Sequence, residues 1–226
     1  MIRVPPLEGH RLWAPTYDLN PNPLLALERR AMREQLQSLD KNFVLDVACG
    51  TGQSLAPLQR SGSMVFGVDA CQEMLGQAAR CTSLRGRLAV ANAEQLPFPA
   101  GFASLVLCSM ALSYFDNLAE VFEEFARVSA PGASVAVSDM HPEAQAAGWT
   151  RSFRAGKLQV ELDHHRRSWE EIERTAEHAG LEACACTSVF FGEQERPIFE
   201  RADKAALFAT IQKKPALCLA IWKKPW

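Results

Sequence analysis

From residue 43 onward, short apolar runs alternate with amphipathic stretches. Phe43-Val44-Leu45-Asp46-Val47 runs into glycines and predicts a strand. Gln53 to Gln59 follows as a helix, Ser63 to Val68 as a second strand ending in Asp69, and Cys71 to Arg80 as a second helix. Arg87 to Ala91 and Ala103 to Leu107 predict strands three and four. Leu118, Val121, Phe122 and Phe125 have i, i+3, i+4, i+7 spacing, the apolar stripe of a helix. Pro131-Gly132 predicts a turn and Ser134 to Ser138 a fifth strand. Near-continuous apolar strands alternating with helices predict an α/β fold whose parallel sheet is covered on both faces.

The flanks follow other patterns. The first twenty residues read as irregular and include Trp13, Tyr17 and Asp18. Asn22 then Pro23 predict a helix start, an acceptor at the cap followed by a proline whose missing N–H does no harm, and the helix runs to about Leu36. Beyond residue 140, Arg151 to His164 predicts a hairpin turning at Ala155-Gly156. Ser168 with Glu171 predicts a capping box for a helix ending near Gly180. Leu181 to Phe191 predicts a strand, Ala202 to Thr210 a short helix, and Ala216 to Trp222 a last strand.

Composition narrows the setting. At 226 residues the chain is expected to form one domain. Within it, residues 1–40 form an N-terminal lid and helix, 41–140 a ligand-binding core, and 141–226 a second lid with the final strands. Against 24 basic residues stand 26 acidic ones, no footprint for nucleic acid or an anionic membrane. The longest strongly apolar stretch, Phe102 to Phe115, is too short to span a bilayer. The first thirteen residues hold prolines and a glutamate and do not read as an export signal. An odd count of seven cysteines without CxxC is read as reduced thiols in a cytoplasmic protein. Cys184 and Cys186 are read as two small apolar strand residues, and no spacing predicts a metal site.

The segment that carries chemistry is Val44 to Gln53, with Ala48-Cys49-Gly50-Thr51-Gly52 at its centre. Ligands of a parallel sheet sit beyond the carboxyl ends of its strands. A loop of small residues there lets a ligand approach the backbone. Asp46 precedes the loop and suits a cationic or amine group, and Asp69 ends the second strand, where a carboxylate can accept both hydroxyls of a ribose. This layout fits any nucleoside cofactor or, without a ligand, a tight strand–helix turn. Leu55 stands where the dinucleotide fingerprint needs a small residue, which argues against a pyrophosphate loop.

The run Val44 to Gln53 resembles motif I of the class I S-adenosylmethionine-dependent methyltransferases. Val65 to Asp69 with Cys71 and Met74-Leu75, Ala91 to Phe98, Ser104 to Ser109, and Arg127 to Gly132 resemble their later motifs, in order. The resemblance covers about residues 40–140 and is closest to the group with the ubiquinone/menaquinone-type and malonyl-carrier-protein enzymes (methyltransferase type 11). It implies a Rossmann-like, doubly wound, seven-stranded, mostly parallel sheet. A C-terminal strand would be antiparallel, and a small lid insert would follow strand five.

The resemblance also implies S-adenosyl-L-methionine as cofactor and a role for each matching residue. Ala48, Gly50 and Gly52 would line the methionine part through their backbone, with Asp46 near its amino group. Asp69 would hold the ribose hydroxyls, and Ala70 and Met74 would pack on adenine. Asn92 and Ala93 would meet the adenine edge, Ser109 the methionyl portion, and Tyr17 would close over the cofactor carboxylate as a lid. Two positions depart from the family pattern. Ala48 replaces a frequent glycine and is tolerable if its φ is negative. Asn92 replaces a usual aspartate and is a weaker acceptor for the adenine amine.

His141, after strand five in Ser138-Asp139-Met140-His141-Pro142, is the expected base or acceptor-orienting residue, supported by Asp139; the alternative is a loop histidine. His164 to Arg167 either reach an anionic acceptor or form a solvated turn, and Trp149, Phe153 and Leu158 are a candidate apolar lid. Cys108-Ser109-Met110-Ala111 follows strand four in place of N/D-P-P-Y, which speaks against amino methylation of DNA bases. The expected acceptor is a small organic molecule methylated at oxygen or carbon. A nicotinamide-dependent oxidoreductase and a non-catalytic cofactor-binding scaffold are the rival readings.

Overall fold

The computed structural model describes residues 1–19 and 21–226. The main sheet has seven strands: β2 (Phe43–Val47), β3 (Met64–Asp69), β4 (Leu88–Val90), β5 (Ala103–Ser109), β6 (Ser129–Met140), β9 (Glu182–Val189) and β10 (Leu217–Lys223). Their order is β4-β3-β2-β5-β6-β10-β9. β10 alone runs antiparallel to its neighbours, β6 and β9, while the other pairings are parallel. This is the expected doubly wound sheet with one reversed C-terminal strand.

Helices cover both faces, as the apolar strands require. On one face α5 (Leu118–Val128) and α7 (Trp169–His178) bury Phe122, Phe125, Trp169 and Ile172 against Trp222 of β10. Ser168 Oγ accepts the Glu171 N–H (3.1 Å), so the predicted cap starts α7 where expected. The other face carries α2 (Pro23–Gln35), α3 (Leu55–Arg60), α4 (Gln72–Ala78) and, near the end, α8 (Arg196–Arg201) and α9 (Ala205–Ile211). Asn22 Oδ1 accepts the Leu24 N–H (2.9 Å) and caps α2.

Three details depart from the sequence reading. The N-terminal segment is not irregular: β1 (Ile2–Val4) leads into α1 (Pro6–Trp13), while residue 20 lies outside the described residues. β1 pairs in parallel with β8 (Leu158–Leu162) of the hairpin it forms with β7 (Ser152–Ala155), giving a second, three-stranded sheet. A three-residue strand has no periodicity of its own to read; its partner more than 150 residues away defines it. Pro131-Gly132 does not separate two elements either. It lies within β6 where the register against β5 shifts, so it makes an irregularity in a longer strand. The predicted helix over 202–210 is α9, starting later at Ala205, and a further short helix, α8, precedes it, the two separated at Asp203, whose φ is +55°. α6 (Pro142–Ala146) is a further single turn after β6. No helix among the described residues is long and apolar enough to cross a membrane.

Candidate functional site

The parallel strands β2, β3, β4 and β5 end on the same side, and a cavity of about 820 Å³ opens there, within the size range of small-molecule and cofactor sites. Its floor is the elbow after β2. Ala48, Gly50 and Gly52 all have positive φ, at +58°, +54° and +74°. Cys49 N–H donates to Val68 O and Gly52 N–H to Cys49 O (both 2.9 Å), which fold the elbow back on the sheet. Gly67 on β3 makes room for it: a Cβ there would lie 2.7 Å from Cys49 Sγ and Leu55 Cδ1. Ala48 therefore does not meet the condition set for it. It carries a methyl group in the left-handed region, a strain of about 1 kcal/mol.

Asp69 stands beside the elbow. Oδ2 accepts the Gly50 N–H and Oδ1 the Cys71 N–H, each at 2.8 Å. These bonds fix the carboxylate and leave the remaining lone pairs toward the cavity that Asp69 lines. Burial pushes its pKa up, and the two N–H donors pull it back. Ala70, Met74, Asn92, Ala93 and Ser109 line the same cavity, as do Ala48, Gly50 and Tyr17. The structure thus brings together nine of the residues expected at the site.

Two cofactor candidates sit elsewhere. Gly52 borders a smaller cavity with Asp18, Thr51 and Gln53. Its missing side chain serves packing, because a Cβ would lie 2.9 Å from Leu84 Cδ1 and 3.2 Å from Ala78 Cβ. Asp46 is buried behind the elbow at 1% exposure, with no partner for Oδ1. Burial pushes this carboxyl well above its ordinary value, and the nearby negative groups Glu28 and Asp69 add to the effect. Ser109 Oγ is likewise buried and unpartnered.

The expected base is displaced. His141 does not line the cavity. It caps α6, where Nδ1 accepts the Glu143 N–H (3.2 Å), and Nε2 lies 3.2 Å from Ser188 Oγ. Nor does Asp139 support it. Asp139 forms a buried ion pair with Arg151 and also accepts the N–H groups of Ser113 (2.8 Å) and Met140 (2.6 Å). The sequence put His141 at the correct end of β6, but the strand exit turns its ring away. His165 and Arg167 are also taken by the protein itself: His165 Nε2 meets Asp116 Oδ1 (2.9 Å), and Arg167 donates to Phe115 O (2.6 Å) and Glu171 (2.8 Å).

Sequence reasoning named Tyr17 for this cavity but missed most of its second wall. His10, Trp13 and Tyr17 from the N-terminal segment meet Tyr114 after β5 and Arg151 beside β7, and all five line the cavity. Trp13 stacks flat on Phe153 (4.6 Å, 1°) and touches Tyr17 (4.7 Å). His10 packs edge-on to Tyr114 (5.1 Å), and the Arg151 guanidinium lies 4.7 Å from the centre of the Tyr114 ring. Arg151 also donates to Met110 O. Burial opposes its charge, yet the Asp139 carboxylate and Tyr114 hold its pKa above the ordinary arginine value. His10 Nδ1 lies 2.8 Å from Pro6 O. A carbonyl only accepts, so Nδ1 carries the proton and Nε2 the free lone pair. Burial lowers the His10 pKa to about 4, so the ring is neutral at pH 7. Trp149, Phe191, Phe199, Leu207 and Ile211 close the far, apolar end. Tyr17, Trp149 and Phe153 are lid candidates of the sequence, whereas His10, Tyr114 and Arg151 carry no sequence signal; Glu28, also missed, sits within the apolar stripe of α2, between Leu24 and Ala31.

Comparison with known proteins agrees with this geometry. Residues 45–137 match the family model described as a methyltransferase domain. The chain is 34% identical over 128 residues to a demethylmenaquinone methyltransferase of Mycolicibacterium gilvum, covering 54% of each chain. It is 29% identical over 151 residues to a malonyl-[acyl-carrier protein] O-methyltransferase of Hamiltonella defensa, covering 65% of this chain and 56% of the relative. It thus spans about half the length of these relatives. The fold matches the crystal structure of an S-adenosylmethionine dependent methyltransferase from Mesorhizobium loti at a TM-score of 0.68 and 19% identity, covering 89% of this chain and all of that one. With the elbow, the Asp69 carboxylate and the motif order, these matches identify residues 45–137 as a methyltransferase domain of the type 11 group, carried on the fold of the S-adenosylmethionine dependent methyltransferases.

Proposed function

We propose that the protein transfers the methyl group of S-adenosyl-L-methionine to oxygen or carbon of a small organic acceptor. The observation that carries this reading is the Asp69 carboxylate, fixed by Gly50 and Cys71 beside an elbow of small residues at the carboxyl ends of the strands. The chain's polar groups fit the cofactor. We assign Asp69 to the ribose hydroxyls, Asn92 and Ala93 to the adenine edge, and Ser109 to the methionyl portion, all of them lining the cavity.

The cofactor supplies a methyl group already activated by a sulfonium. What the chain must supply is position and dryness. The Trp13–Phe153 stack and the Tyr17 and Tyr114 rings keep water from the space opposite the elbow. Neutral His10 offers Nε2 as a hydrogen-bond acceptor on that wall and is the residue we assign to orienting an acceptor hydroxyl, in place of His141. The apolar far end, from Trp149 to Ile211, suits an uncharged body on the acceptor.

The test is transfer of radiolabel from [methyl-³H]S-adenosylmethionine to a panel of phenols, carboxylic acids and carbon acids. Acceptor-dependent formation of S-adenosylhomocysteine supports the reading. A folded sample that gives no calorimetric heat with either S-adenosylmethionine or its demethylated product overturns it. Binding without turnover across the panel favours the scaffold reading, and quenching of reduced nicotinamide fluorescence favours the oxidoreductase.

A further inference from the structure

Behind the elbow lies a group of buried carboxyls with no salt-bridge partner among the described residues. Glu28 of α2, 4% exposed, reaches across the sheet to accept the Ser138 hydroxyl at 2.9 Å. Asp46 of β2 lies close enough for the Glu28 charge to act on it, and its Oδ1 has no partner. Several elements bring groups against the two, with the Arg151–Asp139 pair beyond Tyr17 and Cys108. Arg29 on α2, the hydroxyls of Ser109 and Ser138 on β5 and β6, and the Tyr17 phenol face Glu28. Asp69 and the Cys49 and Cys108 thiols face Asp46. Among the groups facing the two only Arg29 is positive, and it is the weakest influence on Glu28. Ser109 links this buried group to the cavity, since its hydroxyl faces Glu28 and the residue lines the cavity.

Two buried carboxyls without a counter-charge are an unfavourable arrangement unless a cation arrives or they stay protonated. Burial pushes both up, with Glu28 and Asp69 adding to the effect at Asp46. We propose that Glu28 is a second carboxylate of the cofactor site, acting with Asp46 as a joint counter-anion for the α-ammonium group of the cofactor's amino-acid portion. The inference rests on the cofactor reading above and extends it to a helix outside the motif region. Arrival of the ammonium favours the ionised pair, so a proton leaves the protein as the amino acid enters.

The experiment compares two thioether nucleosides by calorimetry on the full chain: S-adenosylhomocysteine, and 5′-methylthioadenosine, which keeps the adenosyl part and lacks the amino acid. Each is titrated near pH 7 in phosphate and in Tris, whose different ionisation heats report proton release. S-adenosylhomocysteine is expected to release roughly one proton and to bind more tightly as pH rises, up to about tenfold per pH unit. Methylthioadenosine is expected to do neither. Glu28→Gln should weaken S-adenosylhomocysteine about tenfold and diminish its proton release while leaving methylthioadenosine affinity unchanged. Binding of S-adenosylhomocysteine without proton release overturns the proposal. So does equal release by both nucleosides, which assigns the proton to Asp69, or an unaltered Glu28→Gln. The wild-type comparison stands even if that variant does not fold. No heat from either nucleoside sinks the cofactor reading, and this inference with it.

Discussion

The two walls of the cavity are made by opposite means. The elbow wall, from β2 to β4, is mostly backbone: the positive-φ residues Ala48 and Gly50, a run of small side chains, and one carboxylate fixed by two N–H groups. The lid wall is all side chain: an ion pair, a cation–π contact and aromatic stacks joining residues 10–17, 114 and 151–153. A backbone wall changes little when a neighbouring side chain is altered. An interlocked wall fails as a unit when one member is lost.

The largest effect should come from the lid wall. Arg151→Met leaves Asp139 charged, buried and without its cation. We expect a loss of about 3–5 kcal/mol in urea unfolding. Arg151→Met combined with Asp139→Asn should recover part of it. If the single variant is as stable as the wild type, the walls do not differ as described.

Asp69→Ala on the elbow wall should instead strike binding. It strips the partner from two N–H groups and removes the hydroxyl acceptor, so S-adenosylhomocysteine should bind about a hundredfold more weakly, with stability lowered by only about 1–2 kcal/mol. Calorimetry against a urea curve separates the two quantities. Equal losses in both would erase the contrast.

Acid should loosen the lid wall before the elbow. His10 has a folded pKa of about 4 against an unfolded value near 6.5, so the unfolded chain takes up its proton first. Its contribution is complete above pH 6.5 and is lost as pH falls toward 4, roughly 2–3 kcal/mol over that window. The carboxyls behind the elbow have the opposite sign. Raised folded pKa values at Glu28 and Asp46 give stability that is full below their ordinary range and lost as pH rises through the folded values. His10→Asn should flatten the acid limb alone in unfolding curves followed from pH 7 to 4.

The same contrast explains what the sequence made legible. The elbow wall is local: Val44 to Gln53 and Val65 to Asp69 each hold their own strand, turn and functional group within about ten residues, so periodicity and small-residue spacing reveal them. The strand–helix alternation, α2 with its Asn22 cap, and α7 with its Ser168 cap followed from the same local rules, while the doubly wound sheet came from the family resemblance. The lid wall is contact at a distance. Nothing near residue 151 in the chain says that its guanidinium will meet Asp139 and Tyr114, and nothing in Ile2–Val4 names its partner β8. His141 shows the limit on the local side. Chain position put it at the sheet's carboxyl end, but side-chain direction depends on the φ/ψ of the exit turn, where it serves as the cap of α6. His141→Ala should accordingly cost about 1 kcal/mol of stability and leave S-adenosylhomocysteine affinity unchanged. A binding defect would return it to the site.

The smallest expected effect tests the elbow wall's own strain. Ala48 holds φ +58°, where an L side chain brings Cβ too close to its carbonyl oxygen. Glycine removes that clash but adds freedom to the unfolded chain, so the two terms partly cancel. Ala48→Gly should therefore stabilise the protein by only about 0.5–1 kcal/mol in urea. S-adenosylhomocysteine affinity should hold within about twofold, because the elbow presents backbone and Ala48 contributes only a methyl group to the cavity. Destabilisation would mean that this methyl packs usefully against the partly buried surface of the larger core. A tenfold change in affinity would mean that the elbow recognises its ligand through side chains after all, and the contrast between the two walls would no longer hold.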